Sequence, residues 1–235
     1  MPELKPEWKS NSGRLQLFNC DCMDLMRQYP DKHFDLAIVD PPYGLGNRLS
    51  DGGGKLKDTP MAALYRESKQ WDIAPQQEYF EKLFRVSKNQ IIWGGNYFRL
   101  PPSRCMICWD KKQQMPTLSA WEMGWTSFDS PSKIFSCVST DLQRFHPTQK
   151  PVALYSWLLT KYAERGQTIL DTHLGSGSIA IAAHRLGFSL TASEIDADYF
   201  NASVKRIEHE LAQFVLPIET HPIIEQPNLI PCQNQ

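Results

Sequence analysis

The sequence predicts an α/β fold built on a doubly wound, mostly parallel sheet, and three observations carry that expectation. An apolar strand pattern over 34–39 stops at Asp40-Pro41-Pro42-Tyr43, where two prolines fix the backbone and remove two N–H donors. A second strand pattern over 167–171 runs through Thr172-His173-Leu174-Gly175-Ser176-Gly177-Ser178 into a helical pattern over 179–186. Strand, Gly-rich turn and helix together form the nucleotide-binding unit of such sheets. A third strand pattern over 189–196 ends in the acids Glu194 and Asp196. Open parallel sheets present ligands at the carboxyl ends of their strands, so Asp40, the glycine turn and Glu194 are expected along one edge.

The elements follow in order. Residues 15–19 alternate and read as a strand ending in Cys20-Asp21-Cys22. Asp21 at that tip reads either as the N-cap of a helix over 23–29 or as a ligand contact. After the strand at 34–39, the Gly-rich stretch 44–58 reads as a lid over the site or as a solvated loop. Phe80, Leu83 and Phe84 at helical spacing predict a helix over 79–86 with a core-facing stripe. A strand over 90–93 leads into Gly94-Gly95-Asn96-Tyr97-Phe98, where two glycines permit a close backbone approach or simply a tight turn. Residues 104–110 and 121–128 are further strands, and a helix over 152–165 starts just after Pro151. The stretch 216–235 holds several prolines and no periodic pattern, so it reads as a loosely attached tail. The expected organisation is a single domain over 1–216, with a short insertion over 111–145 and a tail over 217–235.

Composition agrees with a compact enzyme. At 235 residues, 41% hydrophobic and 22% charged, the chain can bury one sizeable core. A formal net charge of −1 argues against a strongly basic coat for nucleic acid, so any grip on a polyanion must be a local patch. No apolar run is long enough to span a bilayer, and the first residues lack the apolar core of a signal peptide. A cytoplasmic location with six reduced cysteines is therefore expected. Cys20-x-Cys22 and Cys105-x-x-Cys108 offer four thiolates, but the second pair sits inside a strand pattern without a zinc-knuckle turn. Ordinary buried thiols and no metal are expected.

The chemistry of the two landmarks is more specific. The Asp40 carboxylate and the Pro41 carbonyl are rigid acceptors beside the flat face of Tyr43. That set suits a planar group carrying an NH2, such as the exocyclic amine of a nucleobase; the plainer reading is a proline turn with a capping acid. The glycine turn has neither Gly-x-x-x-x-Gly-Lys-Ser/Thr nor Gly-x-Gly-x-x-Gly spacing, so it suits a nucleoside lacking a pyrophosphate. Glu194, at the tip of the next strand, can accept from two ribose hydroxyls.

With these motifs the chain resembles the S-adenosylmethionine-dependent DNA amino-methyltransferases. Asp40-Pro41-Pro42-Tyr43 is similar to their catalytic motif and Asp171 to Gly177 to their cofactor loop, and His146-Pro147-Thr148-Gln149-Lys150-Pro151 is a third match. The catalytic motif precedes the cofactor loop, a circularly permuted order that resembles the beta class, and the likeness spans residues 15–206. It implies a Rossmann-like methyltransferase fold, S-adenosylmethionine as cofactor, DNA with a flipped base as partner, and DNA methylation of the restriction–modification type. Asp40, Pro41, Pro42 and Tyr43 would be catalytic. Asp21, Cys22, Asp40, Thr148, Lys150, Asp171, His173, Gly175, Ser176, Gly177, Glu194 and Ile195 would line the cofactor, with Lys150 on its methionine carboxylate. Thr172-His173-Leu174 departs from the family's usual Asp-Pro-Phe or Asp-Pro-Cys, and His173 reads as a loop or packing residue rather than a base. Arg48, Lys55, Lys57, Lys111, Lys112 and Arg144 are the candidate DNA contacts. Residues 111–145 are short for a recognition domain; a short readout, a relaxed one, or a second subunit such as a homodimer partner are all open. The acid of the motif favours adenine N6. Cytosine N4, an RNA or amide substrate, and a non-catalytic module of the same fold are the alternatives.

Overall fold

A computed structural model of the chain describes residues 3–45, 72–113, 119–138, 145–146 and 148–213. In chain order its elements are β1 (Trp8–Lys9), β2 (Leu15–Asn19), α1 (Cys22–Arg27), β3 (Phe34–Val39), α2 (Gln77–Val86), β4 (Ser87–Trp93), β5 (Met106–Asp110), β6 (Trp121–Thr126), β7 (Lys133–Ser136), α3 (Val152–Tyr162), β8 (Thr168–Asp171), α4 (Ser178–Leu186), β9 (Ser189–Glu194) and α5 (Ala197–Ala212). The strands form one sheet ordered β1-β2-β9-β8-β3-β4-β6-β5-β7. β2, β9, β8, β3 and β4 run parallel. β6 is inverted against β4 and β5, β7 runs with β5, and β1 is antiparallel to β2. The predicted doubly wound, mostly parallel sheet is the observed one.

The winding places the site. From β3 the chain moves one way across the sheet to β4, and from β8 it moves the other way through α4 to β9. The order reverses between β3 and β8, so a crevice opens outside their carboxyl ends. Both faces of the sheet are covered, which is why its strands read as continuous apolar runs. Leu36, Ile38, Ile91 and Trp93 pack with Leu154, Leu158, Ile179 and Ile207 on one face. Ala37, Val39 and Ile92 pack with Leu25, Phe80 and Leu83 on the other.

Several boundaries differ from the sequence expectation for local reasons. β4 begins at Ser87, three residues early, because the Ser87 hydroxyl donates to the Leu83 carbonyl and closes α2 directly into the strand. α3 stops at Tyr162, where Ala163 leaves the helical region at φ −122° and ψ 149°. The strands expected over 104–110 and 121–128 shorten to β5 and β6. β1, β7 and α5 were not anticipated. α5 carried a readable signal: Asp196 accepts from the Asp198 and Tyr199 amides as N-cap, and Phe200, Ser203 and Ile207 share its buried face. The described part of 111–145 contributes β6 and β7 to the sheet. Arg48, Lys55, Lys57, Arg144 and the tail lie outside the described residues. No helix among the described residues is long and apolar enough to cross a membrane.

Ile38 is fully buried at the centre of the sheet, between β4 and β8. Ile38→Ala is expected to destabilise the fold by about 2–5 kcal/mol, seen as a lower urea midpoint at unchanged m-value. A loss well under 1 kcal/mol would mean that this layer closes around the missing methyl groups.

Candidate active site

Asp40 leaves the carboxyl end of β3, and its carboxylate is already bonded on both oxygens. The Tyr43 hydroxyl donates to Oδ1 at 2.6 Å, and the Lys150 ammonium donates to Oδ2 at 2.5 Å. Lys150 Nζ also lies 3.1 Å from Glu122 Oε2, and Lys111 Nζ lies 2.5 Å from Glu122 Oε1. Glu122 reaches this edge because β6 is inverted, which brings the start of that strand to the carboxyl ends of its neighbours. The result is a line of alternating charge, Asp40–Lys150–Glu122–Lys111. The Lys150 side chain is 3% exposed, and its ammonium sits 5.3 Å from the Trp93 ring centroid and 5.9 Å from that of Tyr43.

Burial sets the protonation of these groups. It pushes the Asp40 carboxyl up, while the Lys150 ammonium pulls it back. Burial pulls Lys150 down, but Asp40 and Glu122 more than offset this and keep it charged. Burial also pushes Glu122 up, yet Lys150 and Lys111 overcome it and hold the carboxyl at about 2. Burial pushes the Tyr43 hydroxyl well up, with Asp40 adding to it, so it stays a donor.

Tyr43 is held by shape as well as by its hydroxyl. Its ring stacks on Tyr97, centroids 5.0 Å apart and planes 20° from parallel. On Gly94 (φ +67°) a Cβ would sit 2.2 Å from Tyr43 Cε1, so only glycine leaves room for the ring there. Tyr97 is 49% exposed and forms the outer face of the pair.

The second half of the site lies at β8 and β9. Asp171 ends β8, is buried, and accepts the His173 amide at 3.0 Å; burial pushes its carboxyl up to about 8. The turn from Gly175 to Gly177 follows, with φ of +52° and +74° at the two glycines. Glu194 Oε2 accepts from the Gly175 amide at 2.9 Å and Oε1 from the Asp196 amide at 3.1 Å. Ile195 beside it is exposed. His146 packs over the turn, 3.4 Å from where a Gly175 Cβ would be, and its ring meets Tyr199 edge-on at 4.5 Å. Thr148 caps the His146 ring, its hydroxyl 3.3 Å from Nδ1.

The other residues singled out from the sequence lie in varied surroundings. The Lys150 ammonium is engaged by Asp40 and Glu122. Lys111 and Lys112, candidate phosphate contacts, pair with Glu122 and Asp110. Asp21 caps α1 through the Met23 amide. Burial raises the Cys22 thiol to about 12, so it is no thiolate. His173 packs against Tyr79, and burial depresses its ring to about 4, which leaves it neutral. Ser176 is buried, with its hydroxyl 3.1 Å from that of Ser178. Glu122 was missed, and the only hint of it was an acid near the start of an apolar strand pattern; Tyr97 was noted only within the 94–98 turn. No group of three His, Cys, Asp or Glu side chains among the described residues could hold a metal ion. A cleft of about 500 Å³ lined by Phe84, Lys88, Pro102, Arg104 and Trp125 opens at the opposite, amino edge of the sheet. It converges no catalytic groups: Lys88 pairs with Asp35 and Arg104 with Asp129.

Comparison with known proteins gives a consistent picture. A family model described as DNA methylase matches residues 55–205, more than half of the chain. The type II methyltransferase M2.MboI of Moraxella bovis is 24% identical over 260 residues, covering 88% of this chain and 92% of its own. Among solved structures, the M1.HpyAVI–SAM complex matches with a TM-score of 0.53 at 17% identity, over 82% of this chain and 99% of its own. PvuII DNA methyltransferase (cytosine-N4-specific) matches with a TM-score of 0.56 at 13% identity, over 88% and 93%. At these identities the structural matches speak for the fold.

Asp171 gives the site a pH signature. Its folded pKa of about 8 lies above the ordinary carboxylate value near 4, so the folded state holds a proton that the unfolded chain releases. The stability this contributes is complete below pH ~4 and is lost as pH rises towards 8. Asp171→Asn keeps the acceptor for the His173 amide and cannot ionise. Urea midpoints of this variant are expected to fall less between pH 5 and 8 than those of the wild type. Identical slopes would mean that Asp171 is ionised in the fold.

Proposed function

The chain belongs to the DNA methylase family, and from that premise we propose that it methylates the N6 amine of adenine in DNA. At the coarser level it is an S-adenosylmethionine-dependent DNA amino-methyltransferase. The adenine reading rests on the acceptor cluster at the end of β3, where the motif opens on an acid, Asp40, rather than on the serine frequent among cytosine N4 enzymes.

The residues present fit the cofactor. Glu194 accepts one backbone N–H on each oxygen, which leaves further lone pairs for a ribose diol and makes this tip hostile to a phosphate. Exposed Ile195 offers an apolar flank for the adenine ring, and the Gly175–Gly177 turn admits backbone close to the nucleoside. When bound, S-adenosylmethionine supplies an activated methyl group on a sulfonium.

The protein's part is to prepare the nucleophile. An aromatic amine attacks poorly because its lone pair is delocalised into the ring. Asp40 and the Pro41 carbonyl would accept its two N–H bonds and draw the nitrogen towards tetrahedral geometry, which frees the lone pair for attack. Positive charge that would develop on the nitrogen as it gains the methyl would lie beside these acceptors, which would stabilise it. The methylated amine then sheds a proton, for which Asp40 is the nearest base. A base within a duplex cannot reach this pocket and must be flipped out; the Tyr43–Tyr97 pair supplies an aromatic face on which it stacks. Holding both reactants at the switch point contributes the remaining acceleration through proximity.

Asp40→Ala is expected to lower radiolabelled methyl transfer to mixed-sequence DNA by roughly 10²–10³-fold, with calorimetric cofactor affinity close to wild type. A variant that keeps its rate would reduce Asp40 to a structural acid. Glu194→Ala should instead weaken cofactor binding, and unchanged affinity would remove it from the site. Mass spectrometry of digested nucleosides should find N6-methyladenine; N4-methylcytosine alone would reverse the choice of base.

A further inference from the structure

The place that the target amine must take is occupied by another donor. Asp40 Oδ2 holds the Lys150 ammonium, which is 3% exposed and flanked by the Trp93 and Tyr43 rings. This ammonium cannot turn to water when the amine arrives, and a buried charge without a partner is strongly unfavourable. The groups facing it among the described residues come from four elements. The Tyr43 hydroxyl, 3.4 Å away, follows β3. Asp171 ends β8, Tyr155 is buried on α3, and Glu122 is on β6. Tyr43 and Tyr155 are kept neutral by burial, and Asp171 holds a proton up to about 8. Glu122 alone offers a second ionised carboxylate, 3.1 Å from the ammonium, and Lys111 holds its far oxygen in place.

We propose that Glu122 is a positioning residue for methyl transfer: it receives the Lys150 ammonium when the target amine docks on Asp40, so that docking strands no charge. The ammonium moves between two carboxylates that already flank it, and Lys111 keeps the receiving one oriented. This inference rests on the reading of Asp40 as the amine acceptor.

Glu122→Gln tests it. In this variant docking leaves Lys150 without a carboxylate, so docking must expel the lysine proton. At pH 7, kcat/KM for DNA is expected to fall roughly a hundredfold while cofactor affinity is unchanged. The deficit should shrink steadily as pH is raised towards about 9, since alkali favours the neutral lysine. A deficit that is constant with pH, no deficit, or an equal loss of cofactor affinity would overturn the proposal. Should Glu122→Gln fold poorly, Lys150→Met and the double variant Lys150→Met/Glu122→Gln, which removes the buried ammonium, carry the test. Without the ammonium, Glu122→Gln should change neither kcat/KM nor DNA affinity; a further loss in the double variant overturns the proposal. A wild type that transfers no methyl to DNA at all overturns the underlying reading of Asp40, an outcome distinct from any of these.

Discussion

An ammonium lodged between two aromatic rings fixes the geometry of this molecule at its working edge. Lys150 binds Asp40 from the end of β3 and Glu122 from the start of β6, joining segments that are far apart in the chain. Buried ion pairs of this kind add little net stability compared with apolar packing, because desolvation offsets most of the attraction. What they impose is direction: each carboxylate must face the ammonium, and the ammonium must stay where both can reach it. The same short stretch places His146 over the Gly175 turn. His146 and Lys150, close together in the chain, thus reach both the Gly175 turn and Asp40.

The neighbourhood also separates acids of one chemistry into different states. Glu122 lies between two lysines and is ionised down to about 2, while Asp171, bonded to no cation among the described residues, keeps its proton up to about 8. Burial pushes the Asp40 carboxyl up, and Lys150 restrains the rise. Such a gradient across one sheet edge comes from placement alone, since an exposed carboxylate of either type titrates near 4. It lets Asp171 brace the β8 loop as a neutral group while Glu122 stays a permanent anion.

Much of this was legible in the sequence. Parallel strands buried on both faces give continuous apolar runs; read that way, Asp40, Asp171, the Gly175 turn and Glu194 were expected at the carboxyl ends of their strands, and β3, β8 and β9 place them there. The partners of Lys150 were not. A short apolar run does not reveal which way its strand points, so nothing in residues 121–128 showed that Glu122 would face Asp40. Lys111 looked like a surface cation for the same reason. α5 was overlooked because its exposed face is heavily charged, and only the spacing of Phe200, Ser203 and Ile207 betrays the buried stripe. His173 packs, as one of its two readings had it, but its partner Tyr79 comes from a helix far away in the chain.

The inverted β6 has one more consequence. β5 and β6 are consecutive in the chain and pair antiparallel, with Asp110 opposite Trp121, so Lys111 and Glu122 reach the site on a single continuous stretch. Inheritance can therefore treat residues 106–126 as a cassette. A recombination event that exchanged the whole stretch would deliver acid and base together, already matched. One that broke inside it would leave a carboxylate from one ancestor facing whatever the other supplied.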